Sequence, residues 1–181
     1  MRRLLIPIAL LLPLLVGCGN RNLILTVNIL SFMDPSTRTV NYDPIPMGFP
    51  NDTIEVFSDS LNLLQGVSDV TQVASASLDI AASFDNATGD ATGDVLIYFA
   101  ASDSATPFTT APIADVPFTL LAGQVTNVST HIDASPALAE VLTHDRALVG
   151  LRIIFNGTSF PIQGTETLTQ LTATVVMKKD L

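Results

Sequence analysis

Residues 74–84 read Ala74-Ser75-Ala76-Ser77-Leu78-Asp79-Ile80-Ala81-Ala82-Ser83-Phe84. Ala74, Ala76, Leu78, Ile80, Ala82 and Phe84 fall on one side of this run, and Ser75, Ser77, Asp79, Ala81 and Ser83 on the other. A period of two sends successive side chains to opposite faces of a pleated strand, so the stretch predicts a long strand with one buried face.

The same pattern recurs on both sides of it. Asp85 to Asp94 is made of turn residues, and Val95 to Ala101 is a fuller apolar strand, so the three segments predict a β-hairpin. Phe118 to Leu121 and Gln124 to Ile132 predict two strands joined at Ala122-Gly123. Ala147 to Phe155 is strongly apolar, and Asn156-Gly157 after it is the best two-residue hairpin signal in the chain, with Thr158 to Ile162 returning. Thr167 to Met177 turns Leu171, Ala173, Val175 and Met177 inward. Toward the N-terminus, Leu23 to Leu30 predicts a first strand and Thr53 to Phe57 another, and Leu61 to Leu64 an apolar turn. Between the two strands, residues 34–52 carry Pro35, Pro44, Pro46 and Pro50, which predicts a long loop holding at most a short edge strand over Thr37 to Tyr42. Helix patterns are nearly absent. The exception is Ser135-Pro136, an N-cap followed by proline at the first helical position, predicting a short helix to about Thr143.

Eight or nine closely spaced strands with one short helix predict an all-β fold: an antiparallel β-sandwich, immunoglobulin-like in general architecture but without the Cys-Trp-Cys core of true immunoglobulin domains. A closed barrel is the structural rival. Irregular strands, missing aromatic girdles and the lack of Trp argue against a transmembrane barrel.

The N-terminus carries a different message. Met1-Arg2-Arg3 is positively charged, Leu4 to Val16 is apolar apart from Pro7 and Pro13, and the run stops at Leu15-Val16-Gly17-Cys18. About 13 apolar residues are too few to cross a bilayer in helix, which needs roughly 20, but suit the core of a signal peptide. Leu15-Val16-Gly17-Cys18 resembles the lipobox of bacterial lipoproteins. That resemblance, confined to residues 1–18, implies a diacylglyceryl group on the Cys18 sulfur, cleavage just before Cys18 and an acylated new amino terminus, with palmitate-type chains serving as the membrane anchor. Cys18 is the one cysteine of the sequence, so lipidation accounts for it and intramolecular disulfides are excluded. Gly19 rather than Asp follows it, which in such lipoproteins points to the outer membrane. The expected organisation is a signal peptide over 1–17, a lipidated Cys18 with a short tether over 18–22, and a single sandwich domain over 23–181. The tether reaches at most about 15 Å.

Charge narrows the function classes. The sequence holds 17 acidic residues against eight Lys and Arg, a net charge of −9. Arg2 and Arg3 leave with the leader, and no Lys or Arg occurs from Thr39 to Asp145. So acidic a surface repels nucleic acid and anionic headgroups.

Few residues suggest chemistry. In Asp85-Asn86-Ala87-Thr88-Gly89-Asp90-Ala91-Thr92-Gly93-Asp94 the triplet Thr-Gly-Asp occurs twice, and Asp85, Asn86, Asp90 and Asp94 offer the oxygens a calcium ion takes. The spacing matches neither an EF-hand nor a β-helix repeat, and plain turn chemistry explains the same residues. The two histidines, His131 and His144, are too few and too far apart for a zinc site, and no nucleophile elbow, metalloprotease helix or phosphate loop is present. His144 suits the C-terminal end of the predicted helix. Arg152, on the polar register of an apolar strand, must find a carboxylate if both sheet faces are covered. The expectation is therefore a non-enzymatic, lipid-anchored envelope protein without a cofactor, held to the membrane by its N-terminal lipid and acting as a structural or protein-binding module on an envelope partner. A carrier for a small apolar or lipidic ligand, and a surface fibre subunit, stand as alternatives.

Overall fold

Two strands organise the fold, and both are far longer than the sequence predicts. β4 runs over Gln72–Ala101 and β7 over Ala147–Lys179, 30 and 33 residues. They pair antiparallel from Gln72↔Lys178 at one end to Ala101↔Ala147 at the other. The structure, a computed structural model, describes residues 21–45, 51–62, 72–101, 103–104, 106–133, 135–144 and 146–179.

Shorter strands line this ribbon. Along β7 lie, in series, β1 (Arg21–Asn28), β2 (Thr39–Ile45) and β3 (Asn51–Phe57). Along β4 lie β5 (Ala114–Leu120), beside residues 91–97, and β6 (Gln124–Ile132), beside residues 78–86. One arm of the ribbon is therefore β1–β7–β4–β6 and the other β3–β7–β4–β5, within a single seven-stranded sheet.

The ribbon bends midway. Register shifts fall at Asn86/Thr88, Thr88/Asp90 and Asp90/Ala91. Each inserted residue reverses which face later side chains take. Leu78, Ile80, Ala82 and Phe84 are buried on even positions before the bend, and Ala91, Val95, Ile97 and Phe99 on odd positions after it. The two arms meet through Phe84 on Phe118 (4.6 Å between ring centroids), Phe118 on Phe155 (5.5 Å) and Phe155 on Tyr42 (5.0 Å). The fold is all-β, an antiparallel sandwich built by one bent sheet with short helices.

Two predicted hairpin turns are corrected by this arrangement. Asp85 to Asp94 does not reverse the chain, and neither does Asn156-Gly157: both lie inside continuous strands, with Ala91 opposite Gly157 and Gly93 opposite Phe155. The Asn, Asp and Gly residues bend the ribbon instead. Gly89 takes φ 72°, a region glycine enters without penalty, and a Cβ there would strike the Pro161 and Ser159 carbonyls. The break between two strands at Ala122-Gly123 is as expected, with Gly123 at φ 71°, but β5 and β6 run in the same sense along β4, one after the other, and do not pair as a hairpin.

Among the described residues two short α-helices accompany the sheet. α2 (Pro136–Val141) starts as predicted, Ser135 Oγ accepting from the Leu138 amide at 3.2 Å, but ends before Thr143. α1 (Pro35–Arg38) lies in the predicted loop, capped by Asp34, whose carboxylate accepts from the Ser36 amide and hydroxyl. Those bonds hold the Asp34 carboxyl below its usual range. Leu61 forms a single bridge with Ala147.

Candidate functional site

The four residues with calcium-like oxygens lie along the bend and are not brought together. Asn86 is buried, its Nδ2 donating to the Gly89 carbonyl at 2.7 Å and its Oδ1 accepting from the Tyr42 hydroxyl at 3.3 Å. Asp85 points the opposite way and is exposed. Asp90 Oδ1 accepts from the Ala122 amide at 2.8 Å, tying the β5–β6 turn to the ribbon. Asp94 sits against Asp115, whose carboxyl is raised first by burial and then by the charge and hydrogen bond of Asp94. Among the described residues no three His, Cys, Asp or Glu side chains group as a metal site.

The residue that stands out beside the bend is Glu166, for which no sequence motif gives a sign. It lies on β7 opposite Val40 and Phe84. It is wholly buried, and neither carboxyl oxygen has a hydrogen-bond partner. Burial pushes its pKa up to about 8, so it keeps its proton at neutral pH. The Tyr42 hydroxyl is raised as well, by burial first and then by Asp85 and Glu166. A register shift explains why periodicity missed it. Ala81 faces Gln170 but Ala82 faces Leu168, so one β7 residue is skipped. Counted straight back from Leu171, position 166 would face out; after the skip it faces in.

Arg152 has the carboxylate its position demanded. Its Nε lies 2.7 Å from Glu55 Oε1, and a second guanidinium nitrogen 2.6 Å from the same oxygen. A third donates to the Tyr98 hydroxyl at 3.0 Å. The guanidinium also lies over the rings of Tyr98 and Phe108, at 5.1 and 4.9 Å. Gly150 makes room for this, because a Cβ there would meet Pro107 and Phe108. The cluster is structural in form, with each guanidinium nitrogen in contact with a protein oxygen.

His131 lies on the exposed face of β6 between two carboxylates, Nδ1 2.6 Å from Asp79 and Nε2 2.9 Å from Asp133. Those bonds, Asp79 first, raise its pKa. His144 follows α2, its amide donating to the Val141 carbonyl at 3.1 Å. An open groove of about 390 Å³ lies between α2 and the start of β4, lined by Val73, Ser75, Ser135, Pro136, Ala139 and Glu140. Cys18 and the whole leader lie outside the described residues, as do Gly19 and Asn20.

No protein-family model matches this chain, and no curated protein matches it. Among solved structures, that of infectious bursal disease virus Gx strain is similar at 15% identity with a TM-score of 0.39, over 88% of this chain and 36% of the other. That of the Gt strain gives 15% and 0.40 over the same shares. The VP2 subviral particle of infectious bursal disease virus gives 12% and 0.32, over 89% of this chain and 38% of the other. The chain thus spans little more than a third of the length of the structures it matches.

Proposed function

We propose that this chain is a lipid-anchored protein of the bacterial cell envelope, held on the outer membrane through Cys18 and acting as a non-enzymatic structural or protein-binding module. The observation that carries the reading is Leu15-Val16-Gly17-Cys18 followed so closely by the fold: β1 begins at Arg21. Three residues of chain reach about 10 Å, so the sandwich would rest beside the headgroups. Three acyl chains would make that attachment stable, where one alone would not. The β1–β7 ladder sets Arg21 opposite Lys179 and Asn22 opposite Lys178. Three of the six Lys and Arg residues left after cleavage therefore occupy ladder positions at the end of the ribbon nearest Cys18 in sequence. Carriage of an apolar ligand between the arms is less favoured, because Phe84, Phe118, Phe155 and Tyr42 fill the space where the arms meet.

Metabolic labelling with palmitate tests the anchor. The wild-type chain is expected to take up label and to sediment with membranes, and Cys18→Ser to lose the label and persist as uncleaved precursor. A wild-type protein that is soluble, unlabelled and cut at another position would overturn the reading.

A further inference from the structure

Five strands of the sheet have one pairing neighbour each, and four carry a device against further pairing. β2 contains Pro44 and a register shift, β5 contains Pro117, β3 carries Asp52 and Glu55, and β1 opens with Arg21. Proline, charge and bulges are the usual means of blunting an exposed strand edge. β6 has none of them. From Gln124 to Ile132 it holds no Pro, Lys, Arg, Asp or Glu, and it pairs with β4 over nine residues without a shift. Among the described residues β6 pairs with β4 alone, so its outer edge offers a row of free backbone donors and acceptors.

We infer that this edge joins the β6 edge of a second copy of the chain, antiparallel, around a two-fold axis through Val128. A symmetric dimer interface must complement itself, and the β6 sequence does so about this residue. Val128 meets its own copy, Thr126 meets Thr130, and Gln124 meets Ile132 on the half-buried face. On the exposed face Asn127 meets Ser129, and Val125, 62% exposed in the single chain, meets the His131 ring. Thr–Thr and Asn–Ser neighbours are favourable across strands, and no like charges oppose one another. In a chain of net charge −9, two copies approach most easily along an edge that carries no acid. The result is one continuous eight-stranded layer, β1–β7–β4–β6 followed by its mirror order. The inference names the partner of the protein-binding module proposed above, and it requires the free edge rather than the lipid.

Oxidative cross-linking of the full-length protein in its own membranes tests it. Val128→Cys places two thiols across the axis, within the Cα separation that a disulfide spans, and is expected to give a covalent dimer over the wild-type background. Adding Asn127→Lys with Ser129→Lys opposes Lys to Lys at both flanking pairs, and the dimer yield should fall about tenfold, the change that 1.4 kcal/mol makes in an equilibrium constant. Asn127→Asp with Ser129→Lys sets opposite charges at the same pairs and should restore the yield. The two variants differ at one exposed position, so misfolding does not separate them. A Val128→Cys chain that stays monomeric, or equal yields from the two charged variants, would overturn the pairing. A disulfide formed by the wild-type chain would mark Cys18 as a free thiol and count against the anchor alone.

Discussion

Glu55 and Glu166 are carboxylates of the same sheet, one beside β7 and one on it, and they meet opposite fates. Glu55 stands on β3 directly across from Arg152, half-exposed, with the guanidinium against it and two aromatic rings beneath. Glu166 stands beside the bend, wholly buried, with no partner on either oxygen. The difference lies in the ladder. Where the β3–β7 register is unbroken, cross-strand neighbours meet and a charge finds its counter-charge. Where the β4–β7 ladder skips a residue, as it does between Ala81 and Ala82, a side chain is carried to the inner face whatever its polarity. That slip, beside the bend, is thus the place where the fold carries an uncompensated polar group.

Replacing Glu166 should have the largest effect, and the sign depends on pH. Its pKa is about 8 in the fold against an ordinary value of 4.5. Between those values the unfolded chain has released this proton and the folded chain keeps it. Stability therefore falls as pH rises from 4.5 to 8, by at most about 1.4 kcal/mol per unit, and the loss is complete above 8. Glu166→Met, similar in length and without charge, should flatten this slope and raise stability near pH 8 by about 2–4 kcal/mol. Urea unfolding at several pH values checks it. An unchanged slope would mean that Glu166 is not the group that couples folding to protons.

The Arg152 cluster should respond less and in the opposite sense. Arg152→Ala removes the ion pair, the hydrogen bond to Tyr98 and the stacking on two rings, at a cost of about 1–2 kcal/mol, most of it from the rings because Glu55 is half in water. Arg152→Lys should recover only part, since an ammonium lacks the fork and the flat face. Glu55→Gln should cost about 0.5 kcal/mol or less. A Glu55→Gln loss equal to that of Arg152→Ala would show that the ion pair, and not the stacking, holds this face.

What the sequence revealed follows the same division. Alternation over Leu78–Phe84, Ala147–Phe155 and Leu171–Met177 identified buried strand faces correctly, because period two needs no knowledge of the partner strand. Ser135 announced its helix, and Arg152 its need for a carboxylate, each from local chemistry. The bend was misread as turns. Asn, Asp and Gly permit a hairpin and a bulge equally, and only the opposite strand decides between them. Glu166 was invisible for the same reason: its burial follows from a slip in the β4–β7 ladder, and the strand that defines the slip lies more than 80 residues away in sequence. The Cys18 signal is of another kind, an address read from the leader with no bearing on the sandwich.

His131 offers the smallest effect and the sharpest contrast with Glu166. Both groups are raised in pKa, one by two carboxylate bonds in the open and the other by burial. For His131 the sign is that of a base gaining partners: its stabilisation is full below the ordinary value of 6.5 and is lost as pH rises through the higher folded value. Asp79→Asn should bring the imidazole back toward its ordinary titration, read directly by NMR of the ring protons. Asp133→Asn should do so less, since Asp133 is 91% exposed and Asp79 only 41%. Neither substitution should alter the slope that Glu166 imposes, because a carboxyl shielded from water by the core does not feel a surface imidazole. If Asp79→Asn moved the unfolding slope as much as Glu166→Met, the proton-linked stability would belong to the β6 face and not to the bend.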